Sequence, residues 1–599
     1  MRQWKRVAAG VMLCAAGCGG PQSVGDLKTA KAFVNVTETT FAPPPRVLGW
    51  PGMALFDYDN DGDIDVFVTN VAGAPNMFYS NNGFGRFTFV GDQAGLILEQ
   101  DGAVTVGVGD LDNDGWLDLI IGRQSPFFGT QAPTPKLLYM KNMGPDGDGV
   151  VRFKDVTAQS GLDAVTHATG IGVGDIDNDG LLDLYIGRYD LQDLDFRLVS
   201  YLPDTPNVLM RSTGIVDGVA VFEDITASAG VAGTRVAGLA PETADIMNRV
   251  PTWAVYMTDV NTDGLLDIFS LQEIPGGVDL FINNGDLTFQ SVLSEQLNQH
   301  GGWMGATGAD YDRDGDVDYF LANVGADAKG PGVPHHIADA YKLENGTPYH
   351  RLLRNDGGGA LTDVAGQVAV QPGLLPPDNS LSGQGVAGYE FAFGCAWFDA
   401  DLDGWPDLYW IGDIVLSGLI RTGALRRDFH GVGRMLHNER DGSFADVTGS
   451  RGLFNAPDDS PVSYGFNYSG RALATIDLNG DGFDDICRTN AFFTPNPEQG
   501  FNCLMNPAAE EGHWITVRLV GTSSNRFGIG ARVNITAGDV TLTGEVLTTT
   551  SAFTAVHPQV HFGLGKIARI DTLTVHWPSG RVTTAEQVAA DQVLIVTEQ

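Results

Sequence analysis

Positive charge is scarce in this sequence. Its 599 residues include 36 lysine and arginine residues against 74 aspartate and glutamate residues, so the formal net charge is −38. A surface this acidic repels phosphate backbones and anionic lipid headgroups. The composition therefore argues against nucleic acids and anionic membranes as partners.

Long apolar runs are also missing. Beyond the first residues, no segment is long and apolar enough to cross a bilayer, which takes about 20 apolar residues. The short apolar stretch Val7 to Cys14 follows Arg2, Lys5 and Arg6. A basic start followed by a short apolar run is typical of an export signal.

The end of this signal is similar to a bacterial lipoprotein cleavage site. In Ala15-Ala16-Gly17-Cys18, Cys18 would be the lipidated first residue of the mature chain; an ordinary cleaved signal is the alternative. The expected location is the outer membrane or cell surface, or the secreted fraction. Gly19 in place of an aspartate after Cys18 favours the outer membrane. The membrane would then be reached only through the lipid.

Cysteine is scarce, with five residues in the chain. Cys14 and Cys18 lie in the signal region, which leaves three cysteines for the mature protein. Cys487 and Cys503 fall on neighbouring strand candidates and could pair across a hairpin in an oxidising compartment. Cys395 is interpreted as a free, buried thiol.

Two catalytic motifs are absent: Gly-x-Ser-x-Gly and His-Glu-x-x-His. These motifs indicate a serine nucleophile elbow and a zinc protease, respectively. The adjacent pair His335-His336 lacks metal-ligand spacing, so no zinc site is predicted there. The sequence leans away from an enzyme without excluding one.

Acidic residues concentrate in a nine-residue loop, first seen at Asp57 to Asp65. Carboxylates stand at loop positions 1, 3, 5 and 9, and Gly62 at position 6 permits a tight turn. Four carboxylates around one point repel one another unless a cation lies between them. Oxygen-only ligands in an irregular arrangement suit Ca²⁺ better than Mg²⁺ or Zn²⁺.

The loop occurs seven times, which predicts a repeated metal-binding hairpin rather than solvated acidic turns. We number the copies loop 1 to loop 7 along the chain and expect up to seven structural Ca²⁺ ions. The predicted ligands at positions 1, 3, 5 and 9 are Asp57, Asp59, Asp61 and Asp65; Asp110, Asp112, Asp114 and Asp118; Asp175, Asp177, Asp179 and Asp183; Asp259, Asn261, Asp263 and Asp267; Asp310, Asp312, Asp314 and Asp318; Asp399, Asp401, Asp403 and Asp407; and Asp477, Asn479, Asp481 and Asp485.

Short strand candidates surround each loop. One precedes the loop, one follows it, a third comes next, and a fourth has the form Phe-x-Asp-Val-Thr, as in Phe153 to Thr157. Seven units of four short strands predict a seven-bladed β-propeller. The seventh unit lacks its fourth strand, and Phe33 to Thr37 has the required form. We expect that N-terminal strand to complete the last blade and remove an exposed edge.

After residue 506 the pattern changes to short runs of alternating apolar and polar residues. The runs are Trp514 to Leu519, Arg532 to Ile535, Thr543 to Leu547, Thr572 to Trp577 and Val593 to Val596. Strict alternation indicates strands with one buried face. The C-terminal residues are therefore predicted to form a small antiparallel β-sandwich.

These motifs resemble known families. The repeats are similar to the FG-GAP/VCBS repeats of integrin α-type propellers. The tail resembles the ASPIC/UnbV domain shared with cartilage acidic proteins, although Leu547 to Val556 departs from the family pattern. The tail residues that carry this resemblance are His513-Trp514-Ile515, Ser524 to Ala531, His561 to Gly565 and Trp577-Pro578-Ser579-Gly580.

The predicted organisation has four parts. A signal occupies residues 1–18 and a tether residues 19–31. The propeller spans residues 32–506, with 32–37 closing its last blade, and the ASPIC/UnbV domain spans residues 507–599. The protein is expected to be a monomer.

Long insertions point to a partner-binding face. In four-stranded blades, all seven acidic loops lie on one face of the ring. The segments 123–135, 188–206, 228–252, 324–349, 366–392 and 412–433 fall in the connections on the opposite face. Binding residues concentrate in loops on rigid scaffolds, and aromatic and arginine side chains are frequent anchors. The candidates are Phe127, Phe128, Tyr189, Tyr201, His335, His336, Tyr341, Arg421, Arg426, Arg427 and His430.

Three function classes follow. The favoured one is an exported calcium-binding protein that binds a protein or a glycan at the cell surface. The second is a secreted hydrolase or lyase acting on polysaccharide, with a site at the propeller channel. The third is a structural subunit of an envelope complex. An unassigned carboxylate–histidine cluster in the channel would favour the enzyme, and a broad apolar patch would favour the complex.

Overall fold

The chain forms seven small sheets followed by two further sheets near its C-terminus. The computed structural model describes residues 31–98, 102–124, 134–189, 205–233, 252–272, 277–292, 294, 297, 301–323, 350–371, 385–387, 392–412, 433–453, 469–491, 500–507 and 512–599. The predicted all-β fold, a seven-bladed propeller with a C-terminal sandwich, is confirmed. The signal, Cys18 and the tether up to residue 30 lie outside the described residues.

Each of the first seven sheets is a blade built around one acidic loop, with four main strands. The first strands of consecutive blades contact one another in a closed circle, so they surround the central channel. From the inner to the outer edge, the strands are Met53–Phe56, Asp65–Val68, Met77–Asn81 and Phe87–Phe89 in blade 1; Ala103–Gly109, Asp118–Arg123, Leu138–Pro145 and Val151–Asp155 in blade 2; Ala168–Gly174, Asp183–Arg188, Val208–Val216 and Val219–Asp224 in blade 3; Thr252–Thr258, Asp267–Gln272, Val278–Asn283 and Phe289–Val292 in blade 4; Trp303–Ala309, Asp318–Asn323, Arg351–Asn355 and Leu361–Asp363 in blade 5; Ala392–Phe398, Asp407–Gly412, Arg434–Asn438 and Phe444–Asp446 in blade 6; and Ser469–Ile476, Asp485–Ala491, Phe501–Met505 and Val34–Asn35 in blade 7.

The outer strand of blade 7 comes from the N-terminus. Val34 lies opposite Met505 and Asn35 opposite Leu504 in an antiparallel pair. Because the first and last parts of the ring share one sheet, the circle of blades is closed by backbone hydrogen bonds.

A disulfide lies in the same blade. Cys487 and Cys503 face each other on neighbouring strands. Their Cα atoms are 4.2 Å apart, and the structure contains the bond between them. Cys395 is a free, buried cysteine.

Glycines in the first strands let neighbouring blades approach closely. A Cβ atom at Gly107 would lie 2.6 Å from Cγ2 of Ile171, and one at Gly172 would lie 2.6 Å from Sδ of Met257. Real Cβ atoms do not make contacts this short, so each glycine is required by the packing of the next blade.

Short accessory elements decorate the ring. Helical turns at Thr37–Thr40, Gly91–Ala94, Thr157–Ser160 and Thr226–Ala229 each follow a fourth strand, and a 3₁₀ turn spans Leu162–Ala164. Two-residue strands at Phe41–Ala42 and Val370–Gln371 pair with the outer strands of blades 1 and 6.

Among the described residues, no helix has the length and apolar character needed to span a membrane.

The C-terminal domain is a sandwich of two sheets. One contains Gln559–Gly565, His513–Val520 and Gln592–Thr597, and the other contains Val540–Glu545, Arg532–Ala537, Arg569–His576 and Val582–Ala589. The sandwich is not wholly antiparallel as predicted, because His513–Val520 and Gln592–Thr597 are parallel. Gln559–Gly565 and Val582–Ala589 were not among the predicted strands. Their inward side chains join a shared core that includes Ile515, Val533 and Leu573.

Candidate metal centre

The seven acidic loops share one backbone conformation. Each connects the first and second strands of its blade, so all seven lie at one face of the ring, which we call the loop face. The glycine at position 6 has a φ between +86° and +100°, a region that favours glycine. The residue at position 4 also has a positive φ, 56° at Asn60 and 57° at Asn113. These two positions let the chain coil around the loop centre.

Hydrogen bonds fix the first and last carboxylates of each loop. In loop 1, Oδ2 of Asp57 accepts the backbone N–H of Gly62 at 2.9 Å. Oδ2 of Asp65 accepts the N–H of Tyr58 at 3.0 Å, and its Oδ1 accepts the N–H of Asn81 at 2.8 Å. The same arrangement recurs around Asp118, Asp183, Asp267, Asp318, Asp407 and Asp485. Position 9 is therefore held from two sides before any ion binds.

Several loop oxygens have no partner within the protein. Oδ1 of Asp57, Asp59, Asp112, Asp177 and Asp310, and both oxygens of Asp401, are buried and accept no hydrogen bond. A buried acceptor left in this state costs about 1 to 3 kcal/mol. A bound cation would satisfy these oxygens, so the donor set fits a metal ion.

The ligand atoms are close enough to share one ion. In each of five loops, three candidate ligand atoms lie within 4.8 Å of one another. The groups are Asp57, Asp59 and Asp61; Asp110, Asp112 and Asp118; Asp175, Asp177 and Asp183; Asp310, Asp312 and Asp318; and Asp401, Asp407 and His437. Several loops can thus hold metal ions, as the spacing predicts.

The raised pKa values of the loop carboxyl groups also favour a bound cation. Burial, with a contribution from neighbouring carboxylates, raises the pKa of Asp57 to about 6 and that of Asp110 to about 7. Burial likewise raises the pKa of Asp318 to about 9. A raised carboxyl pKa means that the ionised form is destabilised where it stands. A divalent ion would reverse that effect.

In three blades, a cationic side chain from outside the loop pairs with the loop carboxylates. Lys141 donates to Asp112 and Asp114 in loop 2, and Arg211 pairs with Asp177 and Asp179 in loop 3. In loop 6, Nε of Arg440 donates to Oδ2 of Asp403 at 2.8 Å. The sequence analysis did not identify these residues, because they lie on or just after the third strand, 27 to 37 positions from their partners.

An asparagine at the end of the third strand joins each blade to the one before it. Nδ2 of Asn81 donates to the carbonyl of Leu478 in loop 7 at 2.8 Å, and Nδ2 of Asn142 donates to Tyr58 in loop 1 at 2.9 Å. The equivalent residues are Asn283, Asn355, Asn438 and Asn506. In blade 3 the position is Ser212. We call these six residues the seam asparagines. Their recurrence after each third strand was visible in the sequence, but their partners were not.

Position 4 provides a second link between neighbouring loops. Nδ2 of Asn60 donates to the carbonyl of Gly115 at 2.9 Å, and Nδ2 of Asn113 donates to Gly180 at 2.8 Å. Asn178 reaches Gly264 at 3.0 Å in the same way. Loops 1 to 4 are therefore linked in series through position 4.

The C-terminal domain rests on the loop face and contacts all seven loops. Nη1 of Arg518 donates to Gly62 at 3.2 Å, and the N–H of Arg526 donates to Oδ1 of Asn113 at 3.1 Å. Arg532 donates to Thr262 in loop 4 and to Gly315 in loop 5. The remaining contacts are Ser523 with Gly180, the N–H of Gly565 with Leu402, and Trp514 with Gly482.

A segment of the C-terminal domain fills the channel. Strands Thr549–Ser551 and Thr554–Val556 extend the sheet of blade 1 inward, the second of them parallel to Met53–Phe56. Oγ of Ser551 accepts the N–H of Cys395 in blade 6 at 2.8 Å, and Oγ1 of Thr549 donates to Ile171 in blade 3 at 3.0 Å. We call residues 549–556 the plug.

The plug meets an aromatic cluster inside the ring. Phe553 is 2% exposed, and its ring centroid lies 5.6 Å from that of Trp253. Trp253 stacks on Trp50 at 5.2 Å, and the Arg471 guanidinium lies 4.0 Å from the ring centroid of Phe393. The plug is the segment that departs from the family pattern, and side chains fill the channel around it.

A cavity of about 220 Å³ remains between the channel mouth and the C-terminal domain. Its lining includes Asp484, Glu545, His557 and His561, none of which is a predicted loop ligand. Burial raises the pKa of Glu545 to about 7 and lowers that of His561 to about 4. These carboxylate and histidine groups line one cavity beside the metal loops, which the sequence could not reveal because Asp484 belongs to blade 7 and the other three residues to the C-terminal domain.

Among the predicted partner-binding residues, the structure describes Tyr189, and that prediction is wrong. Tyr189 is 6% exposed, and its ring centroid lies 4.8 Å from that of Trp253, so the structure places this side chain in the core rather than on a surface. The other candidates lie outside the described residues: Phe127, Phe128, Tyr201, His335, His336, Tyr341, Arg421, Arg426, Arg427 and His430.

Comparison with known protein families supports the repeat and tail assignments. The FG-GAP-like repeat family matches residues 57–121 and 259–321. The ASPIC and UnbV family matches residues 521–599. The first set covers acidic loops 1, 2, 4 and 5, and the second covers most of the C-terminal sandwich.

Comparison with solved structures gives matches of low similarity. A lectin of Agrocybe aegerita, described as recognising non-reducing terminal N-acetylglucosamine, is 16% identical with a TM-score of 0.35, covering 76% of this chain and 88% of the lectin. A rhamnogalacturonan lyase is 11% identical with a TM-score of 0.35, covering 80% of this chain and 76% of the lyase. At these TM-scores neither likeness carries an argument about function.

Curated relatives agree with the family matches. Cartilage acidic protein 1 of Xenopus tropicalis is 23% identical over 592 residues, which cover 94% of this chain and 75% of the relative. The mouse protein of the same name is 24% identical over 51% of this chain and 45% of its own length. The chain therefore combines FG-GAP-like repeats with a C-terminal ASPIC/UnbV domain and is similar along most of its length to cartilage acidic protein 1.

Proposed function

We propose that this protein is an exported, calcium-loaded propeller that binds a protein or glycan partner at the cell surface. The observation that carries the proposal is the unequal use of its two faces. The loop face and the channel are taken up by the chain's own C-terminal domain, which contacts every loop. The face on which the long insertions connect strands carries no second domain among the described residues.

Calcium is the ion that best suits the loops. Each offers carboxylate and amide oxygens in an irregular ring, and such donors select hard cations. Ca²⁺ tolerates this irregularity better than Mg²⁺, which demands a near-ideal octahedron. Its proposed role is structural, because buried, unpartnered oxygens such as Oδ1 of Asp57 and Asp310 lie in loops 1, 2, 3, 5 and 6 and need a counter-ion.

The insertion face is proposed as the partner surface. Segments such as 412–433, which include Arg426 and Arg427, begin and end on this face, and we propose their arginine and aromatic residues as the contact residues. A lipid on Cys18 would hold the protein at the membrane through the tether, which leaves a rigid ring free to present that face. Localisation at the outer membrane or cell surface is part of this proposal.

Partner capture tests the proposal. The full chain, with and without Ca²⁺, would be screened against a glycan array and against solubilised envelope proteins. Arg426→Ala/Arg427→Ala should reduce capture at least tenfold. Phe84→Ala is the matched control, since Phe84 is 78% exposed on a hairpin of blade 1 outside the insertions. Capture of no partner by the metal-loaded chain, or equal loss in both variants, would contradict the proposal.

A small-substrate enzyme is the second candidate, and the carboxylate–histidine cavity favours it. Paired acid and base groups can act on a glycosidic bond. The cavity is small and lies beneath the C-terminal domain, however, and the channel is filled by the plug, so a polysaccharide chain has no path through it. Turnover of a small glycoside that is lost in Glu545→Gln, with Glu586→Gln (an exposed acid of the same domain) as the control, would establish this function.

A further inference from the structure

The residue just before each seam position lies beside the acidic loop of its own blade. In blade 2 this residue is Lys141, which precedes Asn142. Its side chain is 9% exposed, and its ammonium group donates to Oδ2 of Asp112 and, at 2.6 Å, to Oδ2 of Asp114. The lysine therefore joins the carboxylates at loop positions 3 and 5.

Blade 3 repeats this arrangement with arginine. Arg211 precedes Ser212, and its Nε donates to Oδ2 of Asp177 at 2.7 Å. Its Nη2 donates to Oδ2 of Asp179 at 3.0 Å. Positions 3 and 5 are thus bridged by a fixed positive charge in two consecutive loops.

Loops 1 and 5 lack this bridge. The equivalent residue in blade 1 is Ser80, which carries no charge. In blade 5 it is Arg354, whose Nε donates to Oδ1 of Asp356 at 2.8 Å rather than to positions 3 and 5, although its charge still acts on Asp312. Both loops also have an additional aspartate at position 7, Asp63 and Asp316.

The nearest cation to loop 1 belongs to the C-terminal domain. Nη1 of Arg518 lies 3.9 Å from Oδ2 of Asp57, too far for a hydrogen bond. Oδ1 of Asp57 and Oδ1 of Asp310 remain buried without a partner. Loop 1 therefore presents more uncompensated negative charge than loops 2 and 3.

We infer that Lys141 and Arg211 are internal counter-ions that weaken divalent-metal binding in loops 2 and 3, so that loop 1 fills before loops 2 and 3. This inference rests on the metal loading in the proposed function. A fixed positive charge repels a divalent ion in the same loop, and it occupies one oxygen of each of two ligands. Between partly solvated groups a few ångströms apart, that repulsion corresponds to roughly tenfold in affinity or more.

Metal content measured after equilibrium dialysis against graded Ca²⁺ tests the inference. Lys141→Met should move the half-filling concentration of one site downward by about tenfold, and Arg211→Met should do the same for a second site. Arg152→Met is the matched control, because Arg152 pairs with Asp146 at 2.8 Å on the outer hairpin of blade 2, away from the loops. It should leave the filling curve unchanged.

A gain-of-charge variant provides the converse measurement. Ser80→Lys places an ammonium at the Lys141 position of loop 1 and should raise the half-filling concentration of one early site by about tenfold. Its melting temperature in saturating Ca²⁺ checks that the fold is intact, and this arm decides the matter if Lys141→Met fails to fold.

Two results would contradict the inference, and they are distinguishable. Unchanged filling curves for Lys141→Met, Arg211→Met and Ser80→Lys would overturn the counter-ion role while leaving calcium loading in place. Absence of any bound divalent ion in the wild-type chain would overturn the metal loading itself, and this inference with it.

Discussion

Six of the seven seams between blades are joined by a seam asparagine, and the seam between blades 2 and 3 is not. At that seam Ser212 is fully buried, and its Oγ has no hydrogen-bond partner. The link between loop tips is still present, since Asn113 donates to Gly180 at 2.8 Å. The ring therefore closes without a seam asparagine at this position, while the link between neighbouring loop tips is kept.

The C-terminal domain contacts both blades at the seam where the asparagine is missing. Ile529 is fully buried and packs in the apolar cluster shared by blades 2 and 3, and Phe527 packs against it. Ser523 and Arg526 contact loops 3 and 2 beside the same seam. The domain therefore acts as part of the ring at the one seam that lacks its own asparagine.

Metal removal should lower the folding free energy more than any single substitution. The aspartate at position 9 of each loop is a predicted metal ligand and also accepts the N–H of the residue at the seam position, so loss of the ions affects every seam. Each site that loses an ion present at 100 times its dissociation constant costs about 2.7 kcal/mol of folding free energy. Thermal melts with and without EDTA, together with metal analysis of both samples, measure the loss. An unchanged melting temperature in a sample shown to be metal-free would contradict a structural role for the ions.

Ile529→Ala should have the next largest effect, since it removes the domain's contact with the weak seam. Truncation of a fully buried isoleucine costs about 2 to 5 kcal/mol. Urea unfolding measures the total loss of folding free energy. Hydrogen exchange should show faster opening of strand Val208–Val216, at the seam, than of strand Val278–Asn283 in blade 4. Equal exchange in both strands would show that the seam does not depend on the domain.

Low pH should destabilise the seam between blades 2 and 3, because protonation of Glu598 weakens the hydrogen bonds that this carboxylate accepts. Its carboxylate accepts the N–H groups of Thr522 at 2.7 Å and Ser523 at 2.6 Å, in the segment that touches loops 2 and 3. Burial alone would raise its pKa, but hydrogen bonds from Ser579 and these backbone groups lower the pKa to about 2.

A lowered carboxyl pKa stabilises the fold above the unfolded value of about 4.3 and loses that contribution as the pH falls towards 2. Glu598→Gln should cost about 1.5 kcal/mol at neutral pH and remove this part of the acid sensitivity. Glu586→Gln is the control. Identical acid unfolding curves for Glu598→Gln and the wild type would contradict the role of Glu598.

Asn283→Ala should have a moderate effect. Its Nδ2 donates to Ile176 across the seam at 2.8 Å, and its Oδ1 accepts the N–H of Gly285 at 3.0 Å. Loss of these bonds in a buried site costs about 1 to 2 kcal/mol. Asn283→Ser reproduces the blade 3 situation at a different seam, and urea unfolding should rank it between alanine and the wild type. No loss in either variant would show that the seam asparagines are dispensable.

Ser212→Ala should have the smallest effect, within about 0.5 kcal/mol of the wild type, because the hydroxyl it removes has no partner. Ser212→Asn would restore the missing donor and should stabilise the seam if the side chain reaches loop 2. A large destabilisation by Ser212→Ala would mean that the serine makes a contact through solvent.

Much of the ring could be predicted because its signals are local. The ligand positions, the turn glycines and the four strands of each unit recur at short spacing, and the missing fourth strand of blade 7 pointed to Phe33 to Thr37. Lys141, Arg211 and the cavity residues escaped prediction because their partners lie far along the chain. Of the partner residues, Tyr189 was misassigned to a surface, since an aromatic side chain in a connection can equally pack into the core.

The seven acidic loops follow from local sequence, because nine consecutive residues contain both the ligands and the glycine that brings them together. The all-β fold also follows from local sequence, through strand periodicity and repetition. Three features emerge only from the folded chain: the C-terminal domain covers the loop face, residues 549–556 fill the channel, and Ser212 leaves one seam to that domain. These depend on contacts between segments hundreds of residues apart, which no local pattern records.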